Sequence, residues 1–103
     1  MITYTEADNG RTVDHTPGDV FEVVLVEGVG SAYHWRLIAC DPAAIAVEAT
    51  GSPPPVGVIG GQRNVTWQCK VRAPGRTTLE WAYQRGWEPA PARTFALVVL
   101  VSA

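Results

Sequence analysis

The chain has 103 residues, 47% of them apolar and 17% charged, and a formal net charge of −2. That length supports one domain spanning 1–103 with one modest core. The near-neutral charge gives no reason to expect nucleic acid or an anionic membrane as a partner. The apolar runs fall far short of the ~20 residues that a membrane-spanning helix needs. No signal peptide is expected within the chain, because polar residues interrupt its opening segment; the compartment is left open.

In chain order, ITYT at 2–5 and RTVD at 11–14, separated by ADNG, read as an edge strand broken by a turn. VFEVVLV at 20–26 is rich in β-branched residues and more continuously apolar, as a central strand is. YHWRLIA at 33–39 puts Tyr33, Trp35, Leu37 and Ala39 on one face and His34 on the other. AIAVEA at 44–49 reads as a short strand, although its alanines also allow a helical turn. NVTWQCKVR at 64–72 alternates strictly, with Val65, Trp67, Cys69 and Val71 on one face and Thr66, Gln68 and Lys70 on the other. TLEWAYQ at 78–84 repeats the pattern with Leu79, Trp81 and Tyr83, and FALVVLV at 95–101 predicts a second central strand. No window carries a helical period.

Breakers separate these runs at Thr16-Pro17-Gly18, Cys40-Asp41-Pro42 and Ala73-Pro74-Gly75. Proline presets φ and glycine tolerates positive φ, so each is a compact turn. Seven to eight short strands with regular turns predict an all-β, immunoglobulin-like antiparallel β-sandwich. In such a sandwich alternate connections emerge at opposite ends. The short turns at 14–19, 40–43 and 73–76 share one end, and the longer or glycine-richer segments 27–32, 49–63 and 85–93 share the other. Long loops in a small domain are disproportionately functional.

Catalysis is not expected. Ser31 stands three residues before His34, but Tyr33 occupies the place of the second glycine in a G-x-S-x-G elbow. A serine nucleophile also needs a base that is itself oriented by a third group. Gly28-x-Gly30 lacks both a third glycine and a following helix, so it is no phosphate cradle. No Cys/His spacing suits a metal, and no cofactor is expected. Cys40 and Cys69 either pair or are two small buried apolar side chains. Asn64-Val65-Thr66 matches a glycosylation acceptor only weakly, since it opens a strand. Trp67 and Trp81 hold in-phase strand positions and are assigned to the core, whereas Trp87 follows Arg85-Gly86 in a loop, where an exposed indole is a typical binding anchor. The cysteines are misplaced for an antibody-type domain, although Trp35 on the third strand fits one.

Along nearly its whole length, from about Tyr4 to Val101, the sequence resembles the chagasin-like inhibitors of papain-family cysteine peptidases. The carrying residues are Pro17-Gly18-Asp19 through Leu25; the aromatic pair of Tyr33 and Trp35; Val58-Ile59-Gly60-Gly61 before the long alternating strand; and Tyr83-Gln84 leading into Arg85-Gly86-Trp87. The family's first loop usually reads Asn-Pro-Thr-Thr-Gly, and its third carries Arg-Pro-Trp or Arg-Pro-Phe. Here Gly28-Val29-Gly30-Ser31-Ala32 replaces the first, and Gly86 replaces the middle proline of the third.

The resemblance implies a wedge of three loops filling the peptidase cleft. The first loop, with Gly28, Val29, Gly30, Ser31, Ala32 and Tyr33 in the peptidase-binding set, would lie across the catalytic cysteine, Gly30, Ser31 and Ala32 approaching it; Gly60 and Gly61 would allow close backbone approach, and Arg85 and Trp87, on either side of Gly86, would anchor one flank. Without proline at 29 and 86 these loops would be freer before binding, at about 1–2 kcal/mol per residue ordered. Ala32 would resist positive φ at the loop tip. The alternative is an immunoglobulin-like protein-binding or structural module with no peptidase inhibition.

Overall fold

Wherever the sequence alternates, the chain forms strand. The computed structural model describes residues 1–28, 32–50, 61–86 and 88–103. Within them lie eight strands: β1 (Ile2–Tyr4), β2 (Thr12–His15), β3 (Val20–Gly28), β4 (His34–Ala39), β5 (Ile45–Ala49), β6 (Gln62–Val71), β7 (Gly75–Gln84) and β8 (Arg93–Val101). They form two four-stranded sheets, ordered β1-β3-β6-β5 and β2-β8-β7-β4. The two apolar-rich segments are indeed central strands, β3 and β8. Segment 44–49 resolves its ambiguity as a turn followed by strand β5.

The N-terminal segment is more than one broken edge strand. β1 pairs with β3 and β2 with β8, both in parallel, so the chain crosses from the edge of one sheet to the edge of the other. Four antiparallel pairings make up the rest. A single 3-10 turn at Glu6–Asp8 makes the crossing. Asp8 Oδ2 accepts the Thr5 N–H at 2.9 Å, and Gly10, at φ +82°, turns the chain. Asn9 Oδ1 then accepts the Ala96 N–H at 2.9 Å, and the Gly10 N–H donates to the Ala96 carbonyl at 2.8 Å. Those two bonds dock the crossing on β8.

The inward stripes of the sheets meet in one core. β3 contributes Phe21, Val23 and Leu25, β6 Trp67, Cys69 and Val71, β7 Leu79 and Trp81, and β8 Phe95, Leu97, Val99 and Val101. Trp67 and Trp81 are both buried, and their ring centroids lie 5.6 Å apart across the two sheets. Trp81 continues to Phe95 at 5.7 Å. Each large apolar side chain fully buried here contributes about 1.5–3 kcal/mol.

Both cysteines are free. Cys69 is buried as a small apolar side chain, and burial pushes its thiol up to about 12. Cys40 corrects the other half of that expectation: it is exposed, because β4 ends at Ala39 and the chain turns away from the core there.

Candidate functional site: the loop end of the sandwich

Strand register fixes which connections share an end. Gly28, the last residue of β3, pairs with Gln62, the first of β6. In the other sheet His34, which opens β4, pairs with Gln84, which closes β7, and Tyr83 pairs with Arg93 at the start of β8. The connections after β3, before β6 and after β7 therefore leave one end of the sandwich. At the opposite end, Pro17 and Gly18 (φ +94°) form a tight turn closed by the Asp19 N–H on the Thr16 carbonyl at 3.1 Å.

Of the residues expected at the site, Gly28 is half-buried at the end of β3, and its N–H donates to the Tyr83 hydroxyl at 3.3 Å. Ala32 is exposed and Tyr33 half-buried just before β4. Gly61 is half-buried at the threshold of β6; Arg85 and Gly86 follow β7, half-buried and exposed respectively. Val29, Gly30, Ser31, Gly60 and Trp87 lie outside the described residues. Ala32 does not take positive φ, as its Cβ favours.

Aromatic and cationic side chains knit these positions together. Tyr33 stacks on Tyr83 with centroids 5.3 Å apart, and Tyr83 meets Trp35 at 5.0 Å. The Arg85 guanidinium lies 4.8 Å over the Tyr33 ring, and Arg93 lies 4.7 Å over Tyr83 and 5.6 Å over Trp35. Such cation–π contacts contribute about 0.5–1 kcal/mol where exposed and more where desolvated. Arg85 also pairs with Glu88, whose N–H donates to the Arg85 carbonyl at 3.1 Å. Arg93 Nη1 pairs with Glu6 at 3.0 Å.

A buried carboxylate lies beneath them. Glu27 is 2% exposed and continues the inward stripe of Phe21, Val23 and Leu25. Its Oε2 accepts the Trp35 N–H at 2.8 Å; its Oε1 accepts Arg63 Nη2 at 2.9 Å, Arg63 Nε at 3.2 Å and His34 Nδ1 at 3.2 Å. Burial alone would raise its pKa. The Trp35 amide, Arg63 and His34 outweigh that and hold the carboxyl below its ordinary value. The sequence reading missed Glu27, Arg63 and Arg93. Counting in twos from Leu25, from Val65 and from Phe95 would have placed all three on the inward face.

The chemistry of this end is recognition. Among the described residues no group of three or more His, Cys, Asp or Glu could hold a metal ion, and no helix is long and apolar enough to cross a membrane. An immunoglobulin-like sandwich whose β3, β4, β6 and β7 have their termini at one braced end defines a class of loop-bearing binding proteins. The model of the chagasin family of peptidase inhibitors, I42, matches residues 15–99, and the chain belongs to that family. Members of that family are peptidase inhibitors and not enzymes.

Solved structures share the fold. The cysteine protease inhibitor EhICP2 from Entamoeba histolytica superimposes with a TM-score of 0.83 at 23% identity, over 98% of this chain and 95% of that one. Amebosin in solution gives 0.77 at 24% identity, over 98% and 97%. PbICP-C in complex with falcipain-2 gives 0.73 at 18% identity, over 97% and 89%. No curated protein sequence matches the chain.

Proposed function

We propose that the chain inhibits papain-family cysteine peptidases reversibly, by seating its loop end in the active-site cleft. Gly28, Val29, Gly30, Ser31, Ala32 and Tyr33 approach the catalytic cysteine, Gly60 and Gly61 give close backbone approach, and Arg85, Gly86 and Trp87 flank the cleft. The carrying observation is the common end from which β3, β6 and β7 deliver these segments, in a chain of the chagasin family. Inhibition by occlusion needs no catalytic group. It needs a shape held ready before the encounter, because every residue ordered on binding subtracts from affinity. The ring stack of Tyr33, Tyr83 and Trp35 and the pair of Arg85 with Glu88 supply bracing where the sequence has Val29 and Gly86 in place of proline.

Titration of papain with the purified chain, read with a fluorogenic peptide, tests this. The expected result is a saturable loss of activity that recovers on dilution, with the chain recovered uncleaved. Full peptidase activity at high micromolar chain would overturn the proposal for this target class.

A further inference from the structure

Glu27 occupies an inward position where the stripe of β3 calls for an apolar side chain. Its register partner across the β3–β6 ladder is Arg63, so the stripes of both strands end in a charged pair. As a source of stability such a pair is poorly placed, since buried ion pairs are often no better than apolar residues of similar volume. What a carboxylate has and a leucine lacks is direction. Its two oxygens accept from three residues on two strands at once: Arg63 at the start of β6, and the Trp35 amide and His34 at the start of β4.

Backbone ladders already hold β6 against β3, but β3 and β4 belong to different sheets and share no ladder. At the loop end the two sheets are joined instead by Glu27 to Trp35, by Trp35 Nε1 donating to the Val26 carbonyl at 3.0 Å, and by Gly28 donating to Tyr83. The Glu27 link also engages a side chain at the threshold of β6, that of Arg63.

We propose that Glu27 is a positioning residue for inhibition, its buried carboxylate tying the start of β4, where segment 29–31 returns to the other sheet, to the start of β6, where segment 51–60 ends, before any peptidase arrives. This rests on the reading of the loop end as the peptidase-binding surface. Loss of the tie slows association, because binding must then wait for the two strand starts to come into register.

The test uses the whole chain with Glu27→Gln, Arg63→Met and both together, and reads papain inhibition kinetics beside amide hydrogen exchange of the free protein. Gln keeps the size and one acceptor oxygen but loses the charge that Arg63 and His34 pair with. The expected result is an association rate about tenfold slower for each single variant, a double variant no slower than either, and faster exchange at 32–35 and 61–63. If Glu27→Gln fails to fold, Arg63→Met reads the same link from the more exposed partner. Unchanged association rates, or losses that multiply in the double variant, would overturn the inference. If the unmodified chain leaves papain fully active, the proposed function fails separately. Exchange then decides the tie: faster exchange at both strand starts upholds it, and unchanged exchange overturns it.

Discussion

Among the described residues, His15 at the turn end and Glu27 at the loop end are the buried polar or charged side chains, and the two ends use them differently. At the turn end His15, 4% exposed, stacks on Phe21 at 4.6 Å and donates through Nδ1 to Asp19 at 3.0 Å. Its Nε2 shares a hydrogen bond with the Tyr4 hydroxyl at 2.8 Å. Asp19 also accepts the Thr16 N–H at 3.0 Å, so the carboxylate braces a turn within four residues of chain. At the loop end Glu27 reaches eight residues to Trp35 and 36 to Arg63. The turn end is stiffened from within its own connection, by Pro17 and the Asp19 carboxylate, with Gly18 admitting the positive φ that the turn needs. The loop end is stiffened instead by a side chain that links β3, β4 and β6.

That contrast can be broken or sharpened by substitution. The largest effect should ignore it: Trp81→Ala removes a fully buried ring that touches Trp67 and Phe95, and should lower stability by about 3–5 kcal/mol. Urea unfolding followed separately at the two ends should show one common midpoint shift. Next, His15→Ala strands the Tyr4 hydroxyl and part of Asp19, and should cost about 1–3 kcal/mol. Inhibition per folded molecule should stay unchanged; a parallel loss would mean that the ends are coupled.

Acid should loosen both ends, each through its own carboxylate. Glu27 and Asp19 have folded pKa values below their ordinary 4.5 and 3.8. Their contribution is complete above those ordinary values and is lost as pH falls through the lower folded ones. Glu27→Gln should therefore flatten the fall of stability with pH below about 4.5, and Asp19→Asn below about 3.8, in urea titrations at stepped pH. The smallest effect concerns Gly86. Its φ is not positive and a Cβ there would meet nothing within 4 Å. Gly86→Ala should therefore raise stability by about 0.4–1 kcal/mol through the unfolded chain and tighten peptidase binding modestly. Weaker binding would show that the glycine itself is needed at the interface.

Much of this fold is legible in the sequence because central strands with one wet face declare themselves. Trp67, Cys69 and Val71 alternate with exposed Gln68 and Lys70, and Leu79 and Trp81 keep the same beat. The common end of the long connections also follows from strand order. The crossing of residues 2–15 between sheets does not, because short edge strands carry little alternation and their parallel partners lie far along the chain. Glu27 was obscured for a local reason. A charge beside a glycine reads as the start of a loop, which hides the period of two from Leu25; the register against Arg63 shows that β3 runs through it.

The most direct measurement of the central claim is amide hydrogen exchange of the chain with and without saturating papain. The account predicts slowed exchange on binding at Gly28, 32–33, 61–62 and 85–86, with 16–19 and 41–44 unchanged. Protection centred on the turn end, or none at the loop end of an inhibited complex, would contradict it.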